Sequence, residues 1–332
     1  MGAQGIGAAD FQSKKDVFRS CIPFPSKPNV QALGEIKRPC SVEDLIAFVR
    51  ANEEKIFSHA CERAIDPLTL RSQLLLHLPQ FVSGDSLPSE GIIQREIRAV
   101  SDRIEDIQRP YAQWLKQPER PIALGDLEFI SLDADIAKIY HQCFHYIGSY
   151  RPGQHFAFRD RDSGRVVCAG SVANFDLKHA EEKIAPHVDP TSVLVLSRFF
   201  AFRWAPQNAF SHFHGKLRLR LMQEFDTKLM FSFINPNLGF NGRSHQGGAH
   251  WVPFAREAGT RYMYLDGRYR PMRFFVNNYG TSDAVELNKK LGASFEVSTM
   301  ELDPMWLLAI PLQRRARKAI PTKPYLFERP VL

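Results

Sequence analysis

Val193-Leu194-Val195-Leu196-Ser197-Arg198-Phe199-Phe200-Ala201-Phe202-Arg203-Trp204 is an apolar run interrupted by one serine and two arginines. Its β-branched and aromatic residues predict a long strand over 192–204. Leu229-Met230-Phe231-Ser232-Phe233-Ile234 predicts a second strand. Between them, residues 216–221 alternate Lys and Arg with Leu, which fits a strand. The same stretch also fits a helix over 211–226, with Phe213, Leu217, Leu221 and Phe225 on one face, and the helix is the expectation. Strand, helix, strand at this spacing belongs to an α/β architecture.

From Pro190 to Arg256 the chain has only two carboxylates, Glu224 and Asp226, against eight Lys or Arg and four His. Aromatic residues run through the same stretch. A surface of interleaved cations and rings suits a polyanion, because cations meet phosphate and rings stack on bases. A buried sheet accounts for the aromatic residues equally well. The arginines fit burial less easily, since arginine is rarely buried without a partner. The whole chain of 332 residues has a net charge of +7 and a pI near 9.2, which favours anionic partners. Its five cysteines are scattered and odd in number, which argues against a disulfide framework and for a reducing, cytoplasmic setting. No apolar run approaches a membrane span.

Outward from this centre, residues 1–38 are rich in Gly, Ser, Lys and Pro and read as a poorly ordered arm. Residues 39–120 read as a helical region. Ser41 and Asp44 form a capping box, Asp66-Pro67 breaks the chain between helices, and a third helix over 92–115 aligns Ile93, Ile97, Val100, Ile104 and Ile107. That seam packs either within the chain or against a second copy, giving a homodimer. From 121 to 332, strands and short helices alternate. They include a turn at Asp162-Ser163-Gly164 and a hairpin at Asp266-Gly267 whose second strand extends over 268–275.

Two loops carry candidate chemistry. Residues 204–211 lead into the expected helix, whose N-terminus would seat an anion, with Lys216 and Arg218 in its first turns. Residues 235–251 form a loop dense in Asn, Gly and His after a strand, where sites are often built. There His245 could move a proton and Asn235 could polarise a carbonyl. The alternative for this loop is a turn held by its own side chains. His212, His214, His245 and His250 lack the spacing of a metal site, and none is expected.

The stretches 195–200, 229–233 and 242–251, with the Asp266-Gly267-Arg268 hairpin, resemble the Mom-type DNA-modification proteins of the GNAT acyltransferase superfamily, over roughly residues 125–320. The resemblance implies a central, splayed mixed sheet flanked by helices, with the acyl donor in the splay. Strand 192–204 would be the fourth strand and 206–211 the pyrophosphate seat. The donor would then meet Arg198, Phe199, Phe200, Gln207, Asn208 and Ser211. Gln207 opens the family's pyrophosphate signature, but Phe210 and Phe213 stand near its glycines. By position, Asn235 replaces an acidic residue and His245 a tyrosine. With Ser197 and Ser232, these are the implied catalytic residues.

The expected function is transfer of an acyl or acyl-like group onto an amine. A nucleic acid would be the acceptor, as a DNA base, or the donor, as aminoacyl-tRNA. Arg203, Lys216, Arg218, Arg220 and Arg243 would grip it. The missing glycines favour aminoacyl-tRNA over acyl-CoA as donor. The alternatives are acyl-CoA-dependent acylation of a small-molecule amine, and a non-catalytic nucleic-acid-binding protein on the same fold.

Overall fold

The computed structural model describes residues 39–242, 245, 250–257 and 261–327. The expected arm at 1–38 and the candidate Arg243 lie outside them.

The chain opens with helices α1 (Val42–Ala51), α2 (Glu53–Glu62), α3 (Pro67–His77) and α4 (Glu90–Gln108). Ser41 and Asp44 cap α1 reciprocally, as the sequence predicts. Helix α4 stops earlier than expected, at Gln108, because Arg109-Pro110 turns the chain into a 3-10 segment followed by the short helix α5 (Ala112–Leu115). Its stripe Ile93, Ile97, Val100 and Ile104 is buried in one cluster with Leu45, Ile56, Leu70 and Leu74, while Ile107 stays half exposed. The seam is thus filled within the chain. The same cluster takes in Leu238, Tyr262, Tyr264 and Met300 from the C-terminal part. Tyr264 Oη–H donates to the Leu76 carbonyl at 2.9 Å and Thr299 Oγ1–H to that of Val82 at 2.8 Å, so the helices are anchored on the rest of the molecule.

Eight strands form the main sheet: β1 (Leu127–Ser131), β2 (Gln154–Asp160), β3 (Val166–Asn174), β4 (Val193–Ala201), β5 (Leu229–Ile234), β6 (Val252–Glu257), β10 (Met305–Pro311) and β11 (Tyr325–Phe327), in the order β1-β2-β3-β4-β5-β10-β6-β11. The sheet is mixed: β4 with β5 and β6 with β11 are parallel, and the other neighbours antiparallel. A smaller sheet holds β7 (Met263–Leu265), β8 (Arg268–Arg270) and β9 (Phe295–Val297).

Helix α6 (Ala134–Ile139), widening into a π-turn at Tyr140–Phe144, and α7 (Lys178–Ile184) lie between strands of the first half. Helix α8 (Ala209–Glu224) joins β4 to β5. The ambiguous stretch is therefore a helix, with Phe213, Leu217 and Leu221 fully buried on the sheet and Phe225 at its exposed end. Packing sets the close fit beneath it: a Cβ on Gly170 would come within 2.9 Å of the Phe213 ring. The Asp266-Gly267 hairpin forms as expected, with both turn residues at positive φ. Its second strand ends at Arg270, however, not 275. Pro271 starts helix α9 (Met272–Tyr279) instead, and Phe275 anchors it in a cluster with Met263, Leu265 and Leu287. Helix α10 (Ala284–Leu291) follows, capped by Asp283.

The central mixed sheet flanked by helices is the architecture the resemblance implied. Alternation along β2, β3 and β4 then assigns their side chains to two faces. Phe156, Gly170 and Phe199 look toward α8, whereas His155, Ser171 and Arg198 look toward the π-turn.

Candidate active site at a fork in the sheet

Strands β4 and β5 run in register from Val193↔Leu229 to Leu196↔Ser232, and there their ladder ends. Beyond it, β4 continues to Ala201 beside β3 alone, and β5 continues to Ile234 beside β10. The parallel pair is therefore a fork. A register shift between Ser171 and Val172 opposes Ser171↔Arg198 and Val172↔Leu196, leaving Ser197 as the extra residue of a bulge at the crotch. Ser197 Oγ–H donates to the Ser171 carbonyl at 3.1 Å.

On the α8 face the fork is lined by rings. Phe199 meets Phe210 edge-on at 4.5 Å between centroids, and Phe210 lies 4.8 Å from the His245 ring. His245 Nε2 and Ser232 Oγ are hydrogen-bonded at 3.2 Å. Burial pushes the His245 imidazole down to about 4, so it is neutral at physiological pH. His214 accepts from Trp251 Nε1–H at 3.3 Å beside it. Helix α8 starts where β4 has left the ladder. Its N-cap Asn208 is in the left-handed region at φ 64° and makes no side-chain capping bond, and Gln207 and Asn208 are exposed. The first-turn N–H groups and the Ser211 hydroxyl thus form the anion-attracting end of a long helix.

The opposite face holds a constellation that sequence reasoning missed. Ser171 Oγ lies 2.6 Å from His141 Nε2 and 2.6 Å from His155 Nδ1, and His155 Nε2 lies 2.9 Å from Tyr150 Oη. A hydroxyl has one proton and two lone pairs, so at least one imidazole donates to Ser171. When the other accepts, the four groups form a chain with two opposite proton arrangements, which is what a relay requires. Burial and the Arg198 charge hold His141 down at about 3, and burial lowers His155. His141 Nδ1 is buried with no hydrogen-bond partner.

Arg198 stands beside this chain. Its guanidinium donates to the Ser149 carbonyl at 3.1 Å, the Ser149 hydroxyl at 3.0 Å and the Ser197 carbonyl at 2.6 Å. Burial pushes its pKa down to about 10. Half-buried, it is held by neutral oxygens and binds the 149 loop to the bulge.

The other candidates scatter. Arg203 Nη1 contacts Cys61 Sγ at 3.7 Å, and its guanidinium lies over the Phe57 ring on α2. Arg220 pairs with Glu224 at 2.7 Å, and Arg256 stacks on Trp306 at 4.0 Å. Lys216 and Arg218 lie along α8. The aromatic residues are mostly core: Phe213, Phe231 and Phe254 are fully buried. Asn235 caps a 3-10 turn at Pro236–Leu238. Its Oδ1 accepts from Asn237 N and Nδ2 at 3.1 and 2.9 Å, and Asn237 in turn is locked to Asp303. The structure thus brings Ser197, Arg198, Phe199, Ser232 and His245 to the fork, and gives Asn235 the turn-holding bonds that were its alternative reading. Among the described residues no His, Cys, Asp or Glu cluster is placed to hold a metal ion, and no helix is long and apolar enough to cross a membrane.

No protein-family model matches the chain, and no curated protein matches it. Among solved structures it is similar to yncA from Salmonella typhimurium, described as an acetyltransferase and solved with its cofactor acetyl-CoA. The identity is 8%, the match covers 57% of this chain and 95% of that one, and the TM-score is 0.33. It is similar also to the ribosomal-protein-S5-alanine acetyltransferase of Vibrio fischeri, at 6% identity over 59% of this chain and 98% of that one, TM-score 0.33. A third is the aminoglycoside N(6′)-acetyltransferase of Legionella pneumophila, at 8% identity over 64% and 91%, TM-score 0.28.

Proposed function

We propose that this chain is a GNAT-type acyltransferase that moves an acyl group from a coenzyme A thioester onto the amine of a small molecule. The observation that carries this reading is the fork: a parallel strand pair that parts at Leu196↔Ser232, with a helix N-terminus that lacks a side-chain cap following β4. Phe213 lies under Gly170 and Phe210 against Phe199, so the seat is the helix end itself, without a glycine cradle. Gln207, Asn208 and Ser211 would hold the pyrophosphate there, and the fork-side edge of β4 would hold the pantetheine arm. Coenzyme A supplies a thioester whose carbonyl carbon is open to amine attack. In the transfer, the amine nitrogen bonds to that carbon, the carbon–sulfur bond breaks, and sulfur leaves with the electron pair. The proton lost by the amine passes through Tyr150 to His155, which burial keeps neutral and able to accept it.

A nucleic-acid acceptor or an aminoacyl-tRNA donor would need one continuous basic and aromatic surface. The dispersal of Arg203, Arg220 and Arg256 to separate partners, and the burial of the rings, favour a small amine.

Amide hydrogen exchange with coenzyme A tests the seat. Protection is expected at residues 197–201 and 209–212 and not in α1 to α4. Coenzyme A that binds without protecting either segment would remove the fork as the donor site.

A further inference from the structure

A cavity of about 190 Å³ lies where α3 and α4 meet the π-turn and the β7–β8 hairpin, and its charged lining has one sign. Arg103 reaches it from α4, Arg268 and Arg270 from the hairpin, and His77 and His145 add imidazoles, with no carboxylate in the lining. Such convergence of cations is unfavourable without an anion between them.

The hydrogen bonds sharpen this. Arg103 Nη2 lies 3.2 Å from His77 Nε2, and a guanidinium only donates, so Nε2 accepts. The neutral His77 ring then carries its proton on Nδ1. That atom is buried with no hydrogen-bond partner, as is Arg270 Nε. Burial, with the charges of Arg103, Arg268 and Arg270, holds His77 down at about 3, so the ring stays a neutral donor.

The neighbouring acids are engaged elsewhere. Glu96, which faces Arg103 along α4, is bonded to Arg95 at 3.1 Å, and Asp102 pairs with Arg63. Among the described residues Arg103, Arg268 and Arg270 form no ion pair within 4.0 Å; Arg270 stacks on Phe274 at 4.8 Å. The cavity therefore offers donors and positive charge and lacks acceptors of comparable charge. It is large enough for a tetrahedral oxyanion with several waters, each needing roughly 15 Å³ on this measure.

We infer that this cavity binds a phosphate-monoester-type dianion, with its oxygens held by Arg103, Arg268, Arg270 and His77. The site is separate from the fork and joins the helical region to the hairpin, so its ligand would fasten the two together. The experiment is calorimetric titration of the full chain with inorganic phosphate, with chloride at matched ionic strength as reference. Saturable phosphate binding is expected, together with a rise in the unfolding midpoint. Arg268→Gln changes an exposed hairpin residue, so it should fold. It and Arg103→Gln should each weaken phosphate binding at least about tenfold, the loss of one charge-assisted bond. Arg314→Gln, on a distant exposed turn, should leave it unchanged. Phosphate that behaves no differently from chloride would overturn the proposal, and so would Arg268→Gln binding phosphate as tightly as the natural chain.

Discussion

Replacing His155 with alanine is expected to slow acyl transfer by about 10²- to 10⁴-fold while the protein stays folded, the usual loss when a positioned base is removed. The expectation rests on geometry. Ser171 is the β3 partner of Arg198, next to the bulge that opens the fork, and it spans two imidazoles at 2.6 Å each. Tyr150 completes the chain at 2.9 Å. Tyr150→Phe removes one hydroxyl and little volume, so it should reproduce most of the loss in kcat with KM little changed. It should also move the acid limb of the pH–rate profile, which a purely structural change would leave in place. His245→Ala supplies the contrast. His245 is bonded to Ser232 on the α8 face, so its removal should affect donor affinity more than kcat. If Tyr150→Phe turns over at the natural rate while His245→Ala abolishes chemistry, the proton passes on the β5 side and the relay assignment is wrong.

Acid is expected to unfold the protein cooperatively between about pH 6 and pH 4, because buried imidazoles cannot protonate in the folded state. His77 and His141 are held at about 3 and His245 at about 4, with His145 and His214 well below their ordinary value, in each case by burial first. The unfolded chain takes up these protons near pH 6.5. Above that pH neither state binds them, and the stability is fully present. As pH falls, the unfolded state gains protons the folded state refuses, and stability is lost until the folded pKa values are reached. Each such group contributes about 1.4 kcal/mol per pH unit across this window, so three of them remove on the order of 4 kcal/mol per unit. That is a large part of a typical domain's stability. Asp66 works in the opposite sense, since burial raises its carboxyl above the ordinary value. Circular dichroism against pH, with unfolding free energies at pH 7 and pH 5, gives the slope. Stability unchanged between those two values would mean these histidines reach solvent.

What the sequence could and could not say follows from where each signal resides. Local signals were legible. Apolar runs marked β4 and β5, the helical face of Phe213, Leu217 and Leu221 marked α8, and Asp266-Gly267 marked a turn. The α4 stripe was legible as a seam, and only folding decided that its own chain fills it. Helix α9 was missed because its aromatic residues suit a strand as well, and Pro271 was the only local stop. At the fork, the placing of Ser197, Ser232 and His245 was legible because the motif-bearing segments carry them. His141, His155 and Ser171 could not: 16 and 30 residues separate the histidines from Ser171, and sheet pairing alone unites them. Where the cations of the basic stretch go was hidden for the same reason. Its composition was real, but folding sends Arg198 to carbonyls, Arg203 to Phe57 and Arg256 to Trp306.

The central claim is that the fork holds a coenzyme A thioester for attack by an amine, and thiol release tests it most directly. With acetyl-CoA and a panel of small amines, the natural chain should release coenzyme A thiol in proportion to acylated amine, and Tyr150→Phe should do so about 10²-fold or more slowly. No thiol release with any amine, alongside thiol release once a nucleic acid is supplied as acceptor, or amine-dependent deacylation of an aminoacyl-tRNA supplied as donor, would contradict the account.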